Sequence, residues 1–377
     1  MIPLIVDTLD SLSTWYSLEQ DMWRAKAMAR AARVVQTTAF CPENPSASSG
    51  IGSGIEDIIL QIQREGKVAA ERILHSIADV PRLEAFRRFK KILSIGDKKS
   101  QELVAAGLRD IAELQSQKVR QRFGIDTEAV KVGIQFYDQI NARVDRKDAT
   151  KIIRDITSII RTAGYNVRLA SNTKVSDNIS KNSDDFSLIA MGSYRRGSST
   201  VGDIDILLLP PMMPTTRNKT FPEFPRDVVN SIQTKLGNDF LLCLSAGHKR
   251  LSFLMKYQSN KVSNGVCQVD MFLMPGPLEA AAFLLHGTGS AHFNESLRGL
   301  AKKMGFRLNE YGLFDVKGLT KKGTEIGNKN GNVREGRRIM ADSEAKIFEA
   351  LGGRYVPPEK RSLDRILSVR EIQDYIS

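Results

Sequence analysis

Cysteine is scarce in this chain: three in 377 residues, Cys41, Cys243 and Cys267, far apart and odd in number. They exclude a disulfide framework, offer no zinc-finger spacing and suit a reducing compartment. The four histidines (His75, His248, His286, His292) show no metal-ligand spacing either. No apolar run approaches the ~20 residues a membrane helix needs, so no membrane partner is expected. The first 23 residues place Asp7, Asp10, Glu19 and Asp21 ahead of the first arginine, a poor pattern for a transit or signal peptide. Acidic residues are the minority, 43 Asp and Glu against 55 Lys and Arg, for a formal net charge of +12. That excess points to a polyanionic partner, nucleic acid or an acidic membrane surface. With 41% apolar residues the chain suits a globular protein of two or three compact units.

From Trp15 to Ile92 apolar residues recur at three- and four-residue spacing, broken at "CPENPSASSG", which predicts helices. A second helical block, "GDKKSQELVAAGLRDIAELQSQKVRQRFG", runs to about Gly124. After about Ala170 short apolar runs such as "FSLIAMGS", "IDILLLPP", "RLSFLMKY" and "VCQVDMFLMP" read as strands. Helices return from Pro277, followed by a basic loop-like stretch, "TKKGTEIGNKNGNVREGRR", and a charged helix and tail. One pattern occurs twice. "SGIGSGIEDIILQI" and "LSIGDKKSQELVAA" each set a small-apolar-Gly hairpin, with its glycine at Gly52 and Gly96, before an amphipathic helix. Backbone N–H groups of such a hairpin and the following helix bind phosphate without reading sequence. Ser94 replaces the first glycine in the second copy.

The chemistry is concentrated in "MGSYRRGSSTVGDIDILLLPP", residues 191–211. Side chains two apart on a strand share a face, so Asp203 and Asp205 point one way while Ile204 and Ile206 pack on the other. The apolar run makes this a central strand, where two carboxylates call for resident cations. Two Mg²⁺ ions about 3.5–4 Å apart, with Mn²⁺ as a substitute, meet that requirement and serve phosphoryl transfer. Gly192 lets the backbone approach closely, Ser193 offers a hydroxyl and Arg196 can clamp a triphosphate. Asp270, the lone charge in "VCQVDMFLMP", is the candidate third carboxylate. Metals beside a phosphate cradle describe nucleotidyl transfer.

"GSYRRG…GDIDILL", followed by "VDMFL", "GTGSAHFN", "GFRLNEYGLF" and "DSEAKIFEALGGRYVPPEKR", resembles the family X DNA polymerases, of the polymerase beta-like type. The resemblance covers nearly the whole chain. It implies an α+β multi-domain fold: an N-terminal helical helix-hairpin-helix, lyase-like module (1–79), a second helix-hairpin-helix connector (80–143), a nucleotidyltransferase palm with a mixed sheet (144–275) and a nascent-base-pair-binding C-terminal α+β subdomain (276–377). It implies that Asp203 and Asp205 hold both metals and that Asp270 completes the catalytic one and helps activate the primer hydroxyl. Ser193, Arg196 and Gly202 would bind the incoming triphosphate, with Arg143 from the connector. Asn294 and Arg298 would face the nascent base pair and template, with Tyr311 in the same neighbourhood. Gly50–Gly52 and Ile95–Gly96 would hold DNA backbone, around a monovalent cation. The implied partners are gapped or nicked DNA and dNTPs, acted on by a monomer. The implied location is intracellular, the nucleus first, with the mitochondrion or a viral particle as alternatives.

Three departures stand out. The family's Schiff-base lysine, six residues past the hairpin glycine, is Ile58, and its supporting aromatic and basic residues are Met28 and Arg24. Lyase activity is therefore expected to be weak or absent, unless Lys67 or Lys26 reaches the same pocket. The aromatic pair that precedes T-G-S and disfavours a ribose 2′-hydroxyl is His286 and Gly287, which removes bulk and predicts weakened discrimination. The arginines flanking the third aspartate are Gln268 and Phe272, which predicts fewer cations competing for the carboxylates; Ala291 at the template-side acidic position loosens the grip on the incoming base. The resulting expectation is a DNA polymerase that fills short gaps during base-excision repair. A template-independent nucleotidyltransferase would instead extend a single strand without a complement. An inert DNA-binding scaffold would lose nothing on Asp270→Ala.

Overall fold

Helices open the chain because its first 160 residues repeat apolar side chains at the helical period. The computed structural model describes residues 1–37, 39–169, 185–209, 224–247, 249–259, 264–274, 277–317 and 336–377. Most of the basic stretch 320–338 lies outside the described residues. The chain divides into two compact units, Met1–Tyr137 with Asp364–Ser368, and Asp138–Leu363 with Val369–Ser377.

In the first unit, α1 (Ile2–Leu18), α2 (Met22–Val35), α3 (Ser53–Glu65) and α4 (Lys67–Ile77) enclose one core of Ile5, Leu9, Leu12, Ile55, Ile59 and Ile62. The first helix thus begins well before Trp15, where the apolar spacing first became legible. A second core of Leu83, Phe86, Phe89, Ile92, Leu103 and Val130 lies among α5 (Val80–Lys90), α6 (Asp97–Ala105), α7 (Gln117–Arg122) and α8 (Glu128–Gln135). Each such side chain contributes roughly 1.5–3 kcal/mol on burial. Side-chain caps fix two helix starts: Asp21 accepts from the Arg24 N–H and Asp79 from the Arg82 N–H, each at 3.0 Å. Residues 364–368 belong to this unit, where Ile366 bridges to Thr37.

The two hairpins have matching backbones. Gly50 takes φ +101° ahead of buried Ile51 and of Gly52, which N-caps α3. Ser94 takes φ +62° ahead of buried Ile95 and of Gly96, which N-caps α6. The serine pays the left-handed cost that glycine avoids, so losing that glycine did not remove the turn.

After α9 (Tyr137–Asn141), of which all but Tyr137 belongs to the second unit, come β1 (Val144–Asp145) and α10 (Arg146–Thr162). A six-stranded mixed sheet follows: β2 (Val167–Leu169), β3 (Phe186–Ala190), β5 (Ile204–Leu209), β6 (Phe240–Ala246), β7 (Arg250–Tyr257) and β8 (Gly265–Leu273), in spatial order β2-β3-β5-β8-β7-β6. Short β4 (Thr200–Val201) pairs with β1. Period-two alternation splits the sheet's side chains between two cores. Ile204, Ile206, Leu208, Val269 and Met271 face Ile152, Ile156 and Ile160 of α10 together with Val228 and Ile232 of α11 (Phe224–Leu236). Ile189, Leu207 and Leu209 face Ala280 and Leu284 of α12 (Pro277–Thr288). Beyond α12 come α13 (Ala291–Lys303), a small sheet of β9 (Phe306–Asn309), β10 (Gly312–Asp315) and β11 (Arg337–Arg338), then α14 (Glu344–Ala350) and α15 (Val369–Ile376). A mixed sheet between helical segments gives the α+β class expected.

Candidate active site

β5 and β8 run parallel as neighbours with Asp205 directly opposite Asp270. Asp203, Asp205 and Asp270 each bring a carboxylate oxygen to within 4.8 Å of the others. Their shared parity places them on the sheet face opposite Ile204 and Ile206, as the alternation required. The strand is central, yet the pair of aspartates sits at its entry: Asp203 is exposed, Asp205 partly buried and Asp270 buried. The expectation that a central strand would bury both is corrected, because Asp203 precedes the first paired residue.

Three carboxylates this close oppose one another's ionisation. Burial, then the charges of Asp203 and Asp270, push Asp205 from 3.8 up to about 7. Asp203, although open to solvent on one side, is partly desolvated by the surrounding protein, and this, then Asp270, raises it as well. A hard divalent cation relieves that repulsion, and three carboxylate oxygens are the donors it takes. The residues fit Mg²⁺.

The turn beside them is shaped for close approach. Gly192 has φ +58°, and a Cβ there would lie 2.6 Å from Asp205 Oδ2. Any side chain would be strained and would collide with the carboxylate. The Met191 N–H donates to the Asp205 carbonyl at 2.8 Å, fixing the turn to β5. Arg146 packs on the Tyr194 ring at 4.2 Å and donates to its carbonyl at 2.5 Å. The Ser193 hydroxyl has no partner among the described residues. Arg196 donates to the Thr288 carbonyl at 2.6 Å and to Ser362 Oγ at 3.2 Å. Arg143 is held by Thr200, donating to its hydroxyl and its carbonyl at 2.7 Å each, and Gly202 lies beside it.

One arginine of "GSYRRG" serves another purpose. Arg195 is fully buried and forms a two-pronged pair with Glu344 at 2.6 and 3.1 Å, while Arg361, also fully buried, meets Glu344 at 2.6 Å. Burial raises the Glu344 carboxyl, but Arg361 and Arg195 outweigh it and hold it below its ordinary value. Arg195 also donates to Thr288 Oγ1 at 2.6 Å. The turn carrying Ser193 and Arg196 is thereby fastened to α12, α14 and the segment before Leu363.

His286, Gly287, Asn294 and Arg298 gather where α12 meets α13. A shallow recess there is lined by His286, Asn294, Arg298, Leu285 and Asn309 among others. Asn294 donates to the His286 carbonyl at 2.8 Å, and Arg298 approaches His286 Nδ1 at 2.9 Å. Arginine only donates, so Nδ1 accepts and the imidazole is neutral. Burial, then Arg298, lowers the His286 pKa, consistent with that state. Tyr311 lies on the β9–β10 turn, 49% exposed. At Gly287 a Cβ would meet Met191 Sδ at 2.8 Å. Buried Met191 occupies the space beside Gly287, so a larger residue there would have to displace it.

In the first unit, Arg30 lies over the first hairpin, its Cδ 2.9 Å from where a Gly50 Cβ would be. Ile58 packs partly buried against the apolar core. Lys67 stands exposed at the start of α4, paired with Glu71 at 3.4 Å.

With Gln268 and Phe272 at the flanking positions, Asp270 still has one cationic partner, from another strand. Arg250, on β7 opposite Phe272, reaches Asp270 Oδ1 at 3.2 Å, and Gln268 donates to Oδ2 at 3.0 Å. Sequence reading missed Arg250 because it lies 20 positions from Asp270 and is joined to it only by strand pairing. Met191, Glu344 and Arg361 were missed for the same reason. A lone buried-type glutamate and arginine in "DSEAKIFEALGGRYVPPEKR" carry no local signal of each other.

Comparison with known proteins agrees with this arrangement. Residues 168–275 match the model of the DNA polymerase beta palm and residues 283–362 that of the DNA polymerase beta thumb. The chain is 25% identical over 377 residues to DNA polymerase lambda of Rattus norvegicus, covering 95% of this chain and 56% of the relative. It is 23% identical over 323 residues to DNA polymerase lambda of Arabidopsis thaliana, covering 83% of this chain and 53% of the relative. The chain thus spans about half the length of the curated relatives it matches. Palm and thumb in this order, around three clustered carboxylates, place the chain in the family X DNA polymerases, of the polymerase beta-like type.

Proposed function

We propose that this chain is a DNA-directed DNA polymerase that fills short gaps during base-excision-type repair and has little or no 5′-deoxyribose-phosphate lyase activity. The observation that carries the reading is the pairing of Asp205 with Asp270 in register, with Asp203 alongside and the Gly192 turn against Asp205. Asp203, Asp205 and Asp270 would hold two Mg²⁺, which when bound stabilise charge on the attacking and leaving oxygens of nucleotidyl transfer. The chain's own part is to position. The Ser193 hydroxyl, the Gly192 backbone and Arg196 take the triphosphate, with Gly202 and Arg143 at its margin; Asp270 accepts the proton from the primer 3′-hydroxyl. Asn294 and Arg298 read the nascent pair, and Tyr311 meets DNA beside them. Gly50–Gly52 and Ile95–Gly96 grip backbone phosphates, with a monovalent cation at the hairpin carbonyls. This assigns lyase-like, connector, palm and nascent-pair roles to 1–79, 80–143, 144–275 and 276–377. Gapped or nicked DNA and dNTPs are its substrates, and it works as a monomer inside the cell, in the nucleus. Among the described residues no helix is long and apolar enough to cross a membrane.

The test is extension of a primer across a one-nucleotide gap with Mg²⁺ and each dNTP separately. Templated insertion that D205N abolishes is the expected result. Equal extension of an unpaired single strand would replace the reading by template-independent transfer, and no insertion on any substrate would leave only a DNA-binding role.

A further inference from the structure

Both oxygens of Asp270 are already engaged by protein donors, Oδ1 by Arg250 at 3.2 Å and Oδ2 by Gln268 at 3.0 Å. The two donors differ in kind. Gln268 is neutral and two residues away on the same strand face, so it can stay while the carboxylate takes another partner. Arg250 is a full positive charge on the neighbouring strand, and it repels any cation that comes to the same oxygen. Its side chain is 51% exposed where that of Asp270 is 7%. Its single contact is longer than the 2.6 Å pairing of Arg195 with Glu344. The other arginines near the cluster are tied to different partners, Arg143 to Thr200 and Arg196 to Thr288 and Ser362. Among the described residues Arg250 is the cation bonded to a carboxylate of the trio. It also has somewhere to go, because its guanidinium already lies 5.5 Å from the centre of the Phe272 ring, a face that attracts cations.

We infer that Arg250 is an exchangeable counter-ion of the metal site: it holds Asp270 when no metal is bound and is displaced when a divalent cation enters, while Gln268 keeps the carboxylate oriented. Arg250 is thus a positioning residue that sets metal affinity and keeps three clustered carboxylates tolerable in the metal-free protein. The inference rests on the proposed two-metal reading of the site and adds how loading of that site is controlled.

The decisive measurement is Mn²⁺ binding to the full chain without DNA or nucleotide, read as loss of the free-ion paramagnetic resonance signal. R250Q is expected to bind Mn²⁺ roughly threefold or more tightly than wild type, the scale of a half-exposed ion pair. R250K, which keeps the charge without the planar fork, is expected to fall between them. Affinity in both variants equal to or weaker than wild type would overturn the inference. An independent readout uses wild type alone. The guanidinium ¹⁵N resonance of Arg250 is expected to move as Mg²⁺ is added and to saturate with it, and a resonance that stays fixed at saturating Mg²⁺ would also overturn it. Failure of the underlying reading looks different: wild type and D205N would then bind Mn²⁺ equally poorly, and the proposed function would fall with the inference. Wild-type binding lost in D205N but unchanged in R250Q removes only the role of Arg250.

Discussion

Replacing Asp205 by Asn is expected to stabilise the metal-free protein above neutral pH. The folded chain raises this carboxyl from 3.8 to about 7 by burial and by the charges of Asp203 and Asp270. Between about pH 4 and 7 the unfolded chain has released the proton while the folded chain still holds it, so stability falls as pH rises through that window and levels off above it. The full cost of ionisation corresponds to about 4 kcal/mol, a ceiling set by the raised value. Arg196 and Arg250 lose a nearby anion in D205N, which returns part of the gain, so about 1–3 kcal/mol is expected at pH 8 in EDTA. Both tryptophans, Trp15 and Trp23, lie in the first unit, so their fluorescence is blind to this change. Calorimetry is the assay, following the transition that responds to Mg²⁺, with about 2–4 °C expected per kcal/mol for a unit of this size. The difference should vanish near pH 4, and saturating Mg²⁺ should reverse it by stabilising only the wild type strongly. The reasoning fails if D205N is no more stable than wild type at pH 8 in EDTA, or if the same difference persists at pH 4.

Removing one partner from the Arg195–Glu344–Arg361 cluster, as in E344Q or R195A, leaves a buried charge unpaired and is expected to cost about 3–5 kcal/mol by calorimetry; R195K should rescue little, because lysine lacks the two-pronged geometry. Placing an aromatic residue at Gly287 should destabilise the second unit by about 1–3 kcal/mol rather than build a sugar gate, since Met191 fills that space; partial recovery in M191A/G287F, seen as a rise in melting temperature over G287F, checks the cause. Wild type should discriminate less against ribonucleotides than a polymerase beta-like enzyme with the aromatic pair, and a dNTP-to-rNTP ratio as high as that enzyme's would refute it. Borohydride reduction on nicked DNA with a 5′-deoxyribose phosphate should give no covalent adduct while gap filling proceeds, because Ile58 offers no amine; an adduct mapped to Lys67 or Lys26 would show that another lysine serves.

The carboxylate pair and its strand were legible in the sequence because period-two alternation is local: Asp203, Asp205, Ile204 and Ile206 reveal their faces within four residues. Gly192 and both hairpins were legible for a similar reason, since a tight turn constrains residues adjacent in the chain. The order of the motifs likewise exposed the family and the third aspartate. Tertiary structure alone decided what surrounds those residues. Strand pairing brought Arg250 to Asp270, side-chain packing put Met191 into the space left by Gly287, and burial joined Arg195 to Glu344 across 149 positions. Exposure was decided there too, for Asp203 is the most exposed of the three aspartates, preceding the first paired residue of its strand. Local periodicity fixes which way a side chain points, whereas the neighbour it meets depends on chain segments that only folding brings together.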